Sequence, residues 1–306
     1  MPSRALPSEP ARRVKVVTDS ASDIPLDIAR ELEITIVPCN VHFGEETYRD
    51  GVDLTGEDFF NKMASSPTLP TTSQPAVGVF EEAYRRLARE IDQIVSINLP
   101  KKLSATYNSA LLAAKALPEV DIVIIDSTQV CMAQGWLAII AARAARQGME
   151  LADIVALVED TIPRLRLIAL LDTLEYLRRG GRIGKASALL GTLLNVKPLI
   201  QVLDGEALPL ENVRTKQKAL RRLVEIVGDL GPLEEVAVMH AAAPASAQQL
   251  VEMLAPLHPP DRILVGQVGA ILGAHAGPGA VGVACVVISD QEMSDQGIRV
   301  AGNPIP

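Results

Sequence analysis

The chain has 306 residues, of which 48% are hydrophobic and only 3% aromatic, and its formal net charge is −8 at pH 7. That length and apolar content hold two domains of ordinary size, with Ala, Leu, Ile and Val filling the core. The acidic balance argues against nucleic acid as a main partner, since phosphate binding asks for a basic face. No stretch of about 18 uninterrupted apolar residues offers a membrane span.

Residues 1–13 are rich in Pro, Ser and Arg and read as a disordered leader without the apolar region of a signal peptide. The cytoplasm is the compartment this predicts. Val14–Thr18 is a short apolar strand feeding the loop Thr18-Asp19-Ser20-Ala21-Ser22-Asp23. Pro25–Leu32 has helical spacing. Thr35–Phe43 alternates as one strand, Gly44-Glu45-Glu46 turns, and Tyr48–Val52 pairs back. Thr55–Met63 reads as a helix capped by Thr55. A loop of Ser, Thr and Pro ends in Thr71-Thr72-Ser73-Gln74-Pro75, and Ala76–Ala88 is an amphipathic helix.

Ile94–Asn98 is a strand, Leu99–Ser104 a loop and Ala105–Ala116 a helix. Val120–Asp126 is almost wholly apolar, as burial on both faces of a parallel sheet requires. Ser127–Gln147 and Leu151–Thr161 are helical. Alternating strands and helices predict a parallel, Rossmann-like α/β domain over residues 14–162. Function in such a sheet belongs at the carboxyl ends of the strands.

A second domain is expected over residues 163–290. Leu165–Leu171 is a strand, Thr173–Arg179 a helix stopped by Gly180-Gly181, and Ile183–Leu194 a helix. Val196–Val202 and Ala207–Leu210 flank the hairpin turn Asp204-Gly205. Thr215–Leu230 is a helix, Val236–His240 a strand, Ser246–Ala255 a helix, and Arg262–Val268 and Val281–Ile288 strands. The mixture predicts α+β with a largely antiparallel sheet. Residues 291–306 read as a loose tail.

Chemistry concentrates in two knots of hydroxyl residues, Thr71-Thr72-Ser73 and Ser104-Ala105-Thr106, each before a predicted helix. A helix start offers unpaired N–H groups and the positive end of the macrodipole, so added hydroxyls suit an anionic head group. Taken alone, either knot reads as plain capping. Neither carries the Lys, paired carboxylates or metal ligands of reactive sites, so holding an anion fits better than transforming it. His275 lies among Ala274, Ala276, Gly277 and Pro278. An imidazole in such company sits by a cleft or bonds within the core. His240 ends a strand, and His42 and His258 read as structural or exposed. Cys39, Cys131 and Cys285 match no zinc pattern and read as buried free thiols.

Several motifs fail on context. Gly277-Pro278-Gly279-Ala280-Val281-Gly282 matches G-x-G-x-x-G in form, but it precedes a β-rich run and does not follow a strand into a helix. A G-x-S-x-G nucleophile elbow is absent. No spacing of His, Asp and Glu supports a metal. Asp19, Ser20 and Asp126-Ser127 end strands, where they line a cleft or organise loops.

The ordered set of TDSASD, TTSQP, Leu103-Ser104-Ala105-Thr106, GGRI at Gly180–Ile183, Lys197-Pro198, Val213-Arg214-Thr215-Lys216 and AHAGPG resembles the DegV family of bacterial fatty-acid-binding proteins, from about Val14 to about Ser289. The resemblance implies a lipid-binding carrier and not an enzyme, with no cofactor. A long-chain fatty acid would lie in an apolar tunnel, its carboxylate contacted by Thr72 and Ser104. His275 would lie near the head group and the site of phosphoryl transfer. Arg182 and Arg214 would be surface charge for docking a separate ATP-dependent fatty acid kinase, which makes an acyl phosphate for phospholipid synthesis. The sequence departs from the family at Pro100-Lys101, where two serines are usual, and at Ala105, where Gly is usual. Two other readings stand beside this one: an acyl hydrolase using Ser104 with His275 as base, and a sensor of a small non-lipid acid.

Overall fold

The computed structural model describes residues 14–91, 93–191 and 196–289, so the expected leader and tail lie outside the described residues. Strands are β1 Val14–Asp19, β2 Thr35–Val37, β3 Asn40–Phe43, β4 Glu46–Arg49, β5 Thr71–Ser73, β6 Gln93–Asn98, β7 Asp121–Asp126, β8 Leu165–Leu170, β9 Lys197–Leu203, β10 Glu206–Val213, β11 Leu233–His240, β12 Ile263–Gln267 and β13 Val281–Val287. Helices are α1 Leu26–Glu31, α2 Gly56–Ser65, α3 Val77–Leu87, α4 Thr106–Lys115, α5 Cys131–Arg146, α6 Leu151–Thr161, α7 Glu175–Arg179, α8 Lys216–Gly228, α9 Pro244–Leu254 and α10 Ala270–Ala276.

The chain is mixed α/β. One sheet is parallel, in the order β2-β1-β6-β7. A six-stranded sheet runs β10-β9-β8-β13-β11-β12 and is antiparallel except for the parallel pair β11 and β12. A third, small antiparallel sheet is β4-β3-β5.

Helix α5 packs against β1 and β6 on one side and against β13, β11 and β8 on the other. Its run of Ala and Gly lets two sheets approach one helix closely. Gly135 shows the constraint: a Cβ there would lie 2.8 Å from the Ser22 carbonyl oxygen. Trp136 Nε1 donates to the Ala284 carbonyl at 3.1 Å, fixing α5 to β13. Burial on both sides explains why nearly every side chain of α5 is enclosed. Outer clusters lie under α8 and α9 on the six-stranded sheet and under α3 and α4 on the parallel sheet.

Three local expectations change, and a helix stands where the sequence predicted no element. The run Thr35–Phe43 is two strands in two sheets, divided at Pro38, which has no N–H to continue a ladder. Thr71–Ser73 is not a helix mouth but a strand, and Thr72 pairs with Val41 of β3. Ile183–Leu194 is a 3-10 helix over Gly184–Leu189, and residues 192–195 lie outside the described residues. The small-residue stretch before Gly277 is the helix α10. Gly277 ends it at φ 72 and β13 follows, so the G-x-G-x-x-G pattern has no strand-to-helix setting.

Candidate functional site

A largely apolar cavity with about 900 Å³ of free space, its open mouth included, lies beside the inner face of β8 and β9. Leu167 and Leu171 from β8 and the residue after it, Ile200 and Val202 from β9, and Ile271 and Leu272 from α10 form much of its wall. Thr72, Ser104 and His275 line the same cavity.

Each of the three is delivered by a different element. Thr72 comes from β5. Ser104 lies in the loop between β6 and α4. The buried Asp19 carboxylate holds that loop, its Oδ2 accepting from the Leu99 N–H at 2.7 Å. Burial pushes the Asp19 carboxyl up to about 6, opposed by hydrogen bonds from Leu99 and Gln134. Asp126 has a matching duty, with its Oδ1 accepting from the Thr128 N–H at 3.1 Å. Ser20 Oγ accepts from the Cys39 N–H at 3.1 Å. These strand-end residues organise loops.

His275 rides on α10. Its Nε2 is 2.9 Å from Thr72 Oγ1, and its Nδ1 is buried without a partner. Burial first, and the Arg182 charge second, push the imidazole down to about 4, so the ring is neutral at pH 7. Gly180 lies against the ring: a Cβ there would come within 2.2 Å of Nδ1. The exposed Arg182 donates through Nη1 to the Gly180 carbonyl at 2.7 Å and through Nε to the Leu103 carbonyl at 3.2 Å. Contacts therefore run without a break from Thr72 through His275, Gly180, Arg182 and Leu103 to Ser104. Arg214 is exposed and lies outside the cavity lining.

Ser104 Oγ lies 2.8 Å from Thr106 Oγ1 and accepts from the Thr106 N–H at 3.2 Å. It is thus tied to the start of α4 as a local turn, the capping duty the sequence allows. Ser104 and His275 bond to different partners and form no nucleophile–base pair, so the hydrolase reading has no geometric support. Ala105 is exposed and absent from the cavity wall, so its methyl group does not crowd the interior.

His42 bonds Thr47 Oγ1 at 2.8 Å and Ser73 Oγ at 2.9 Å, a structural role. His240 Nδ1 accepts from the Ala243 N–H at 3.3 Å, and His258 is buried. All three cysteines are free and buried. Sequence reasoning missed that Cys39 lines the cavity and that Gly180 abuts His275. The Gly-Gly pair signalled a helix stop, and nothing in it identified the neighbour. Among the described residues, no group of three or more His, Cys, Asp or Glu side chains is arranged to hold a metal ion. No helix among them is long and apolar enough to cross a membrane.

The DegV family model, described as an uncharacterised protein family, matches residues 13–287. A DegV domain-containing protein of Streptomyces coelicolor is 39% identical over 277 residues, covering 89% of this chain and 98% of that one. A solved structure of a DegV family protein from Thermus thermophilus, described as fatty acid binding, aligns with a TM-score of 0.84 at 31% identity, covering 90% of this chain and all of that one. The structure of DegV from Bacillus subtilis, described as a fatty acid binding protein, gives 0.81 at 33% identity, covering 90% and 99%. The chain belongs to the DegV family.

Proposed function

We propose that the protein binds one long-chain fatty acid in the cavity, its carboxylate held by Thr72, Ser104 and His275. The observation that carries this reading is the continuity of an apolar cavity with one connected group of hydroxyls and a neutral imidazole. A 16-carbon chain at about 0.8 kcal/mol per CH₂ gives roughly 12 kcal/mol of gross transfer free energy before ordering costs. A head group that offers hydrogen bonds then orients the chain without carrying the affinity alone. The solved relatives described as fatty acid binding support the same cargo.

The protein acts in the cytoplasm as a carrier. It presents the carboxylate to a separate ATP-dependent fatty acid kinase and takes the acyl phosphate onward to phospholipid synthesis. Arg182 and Arg214 supply exposed cations for the kinase surface. Denaturing extraction of the purified protein, followed by mass spectrometry, tests the cargo: about one fatty acid per chain is expected. Empty protein that also takes up no labelled C16–C18 acid overturns the reading.

A further inference from the structure

Two carboxylates that the cargo reading does not use meet at the start of α10. Asp23 Oδ1 accepts from the Gly269 N–H at 2.8 Å, and Asp50 Oδ1 accepts from the Ala270 N–H at 2.8 Å. The second oxygen of each, Oδ2, is buried and has no hydrogen-bond partner. The two groups crowd one point: a Cβ on Gly269 would lie 2.9 Å from Asp50 Oδ1 and 3.2 Å from Asp23 Oδ1. Asp50 is only 3% exposed.

Nothing described nearby neutralises the pair. The groups facing it are Asp19, Cys39 and Cys131, and Ser20 and the amides of α10 supply hydrogen bonds. The groove that both carboxylates border contains no Lys, Arg or His among the described residues. That groove is open, so a proton can pass between Asp23 and solvent.

Helix α10 has little freedom to absorb a change at its start. A Cβ on Gly273 would fall 2.7 Å from the Phe59 ring, so α2 holds its middle closely. Its last turn carries His275, set against Gly180 and bonded to Thr72. Seven residues span about 10 Å, so the carboxylates and the imidazole occupy the two ends of one short rigid element.

We propose that Asp23 and Asp50 are positioning residues that clasp α10 while the pair holds one proton, and that loss of this proton loosens the clasp and withdraws His275 from the fatty-acid head group. The inference rests on the fatty-acid reading for its effect on binding, and on the fold alone for its effect on His275. Two ionised carboxylates at one enclosed point repel each other and lose hydration together. Burial raises the Asp23 carboxyl to about 8, opposed by the bond from the Gly269 N–H and reinforced by the Asp50 charge. Burial raises that of Asp50 against the bond from the Ala270 N–H, so the cost of enclosing charge outweighs the clasp bonds that favour it. The titration belongs to the pair.

The test is a pH series of labelled palmitate binding with parallel NMR of the His275 ring in ligand-free protein. If only the protonated clasp binds, the apparent Kd rises about tenfold between about pH 7 and about pH 9, because the competent fraction falls by that factor. Asp23→Asn keeps an acceptor oxygen for the Gly269 N–H and carries no charge, so its profile is flat. Asp50→Asn makes the same substitution on the other partner and serves if Asp23→Asn fails to fold. A flat parental profile, or an unchanged fall in the folded variant, overturns the proposal. If palmitate binds at no pH, the cargo reading fails and the ring signal decides. A His275 shift near pH 8 in the parent and absent from the variant supports the clasp, whereas a signal constant from pH 7 to pH 9 refutes it.

Discussion

Thr72 and His275 are 203 positions apart in the chain and meet at 2.9 Å through Oγ1 and Nε2. The contact joins β5 of the small sheet to α10, which leads into the six-stranded sheet. A ligand carboxylate brought to this point meets a hydroxyl and an imidazole that already fix each other's orientation. The neutral ring matters: it donates from one nitrogen and accepts at the other, so it and the hydroxyl can rearrange around an acceptor.

Ser104→Ala tests the head-group assignment. Loss of one hydrogen bond to a charged group is expected to weaken acid binding by about 1.5–3 kcal/mol. The corresponding fatty alcohol should lose less. Ser104 also bonds the Thr106 N–H, so the variant should show a small loss of thermal stability as well. Titration calorimetry with acid and alcohol separates the two effects. Equal losses for both ligands would mean that Ser104 only shapes the start of α4.

Gly180→Ala tests whether the wall behind His275 sets its position. The added methyl group cannot coexist with Nδ1 at 2.2 Å, so the ring or the α7 end must move. Overpacking of this kind costs about 1–3 kcal/mol. The expected outcome is a folded protein with weakened acid binding and a shifted His275 ring signal. Unchanged binding with an unchanged ring signal would show that α7 yields instead.

How much of this was legible in the sequence differs by residue. The hydroxyl runs around Thr72 and Ser104 stood out by composition, and the cavity lies beside both. Their local structure did not, because a three-residue strand such as β5 has no periodicity to read. The alternation of strand and helix through the first half announced the parallel sheet. Helix α10 was hidden because its seven residues, Ala-Ile-Leu-Gly-Ala-His-Ala, are mostly small, and Gly273 is there to fit Phe59. The approach of Gly180 to His275 joins positions with no shared local pattern, so only the tertiary fold reveals it.

The neutral His275 gives a pH signature of stability. Its folded value, about 4, lies below the unfolded value of 6.5. The unfolded chain therefore binds a proton over that interval and the folded protein does not. Stability from this group is fully present above about pH 6.5 and declines as pH falls toward 4. His275→Gln keeps a polar side chain and removes the titration. The difference in thermal stability between parent and variant should shrink or reverse between pH 7 and pH 4.5, as read by calorimetry. A difference constant with pH would show that the ring titrates alike in the folded and unfolded chain, and one that grows toward pH 4.5 would show that it is charged and paired in the folded state.

The proposed division of labour between this chain and a kinase can be tested at His275. The imidazole lies beside the proposed carboxylate position, where charge would change if an acyl phosphate were formed on the bound acid. A group placed there contributes more to the transition state than to simple retention of a chain whose affinity comes mostly from its CH₂ groups. His275→Ala is therefore expected to reduce ATP-dependent acyl phosphate formation with a cognate kinase more than it reduces fatty-acid binding. Arg182→Ala and Arg214→Ala should act differently, weakening kinase association most at low salt, where exposed charges are least screened. Arg182 also braces Gly180 and Leu103, so its variant should show some loss of acid affinity, whereas Arg214, away from the cavity, should show none. Measuring cargo affinity, kinase affinity and transfer rate on the same three variants assigns each residue to its step. Parental behaviour of His275→Ala in all three would make the histidine a packing residue of α10 and leave the head group to Thr72 and Ser104.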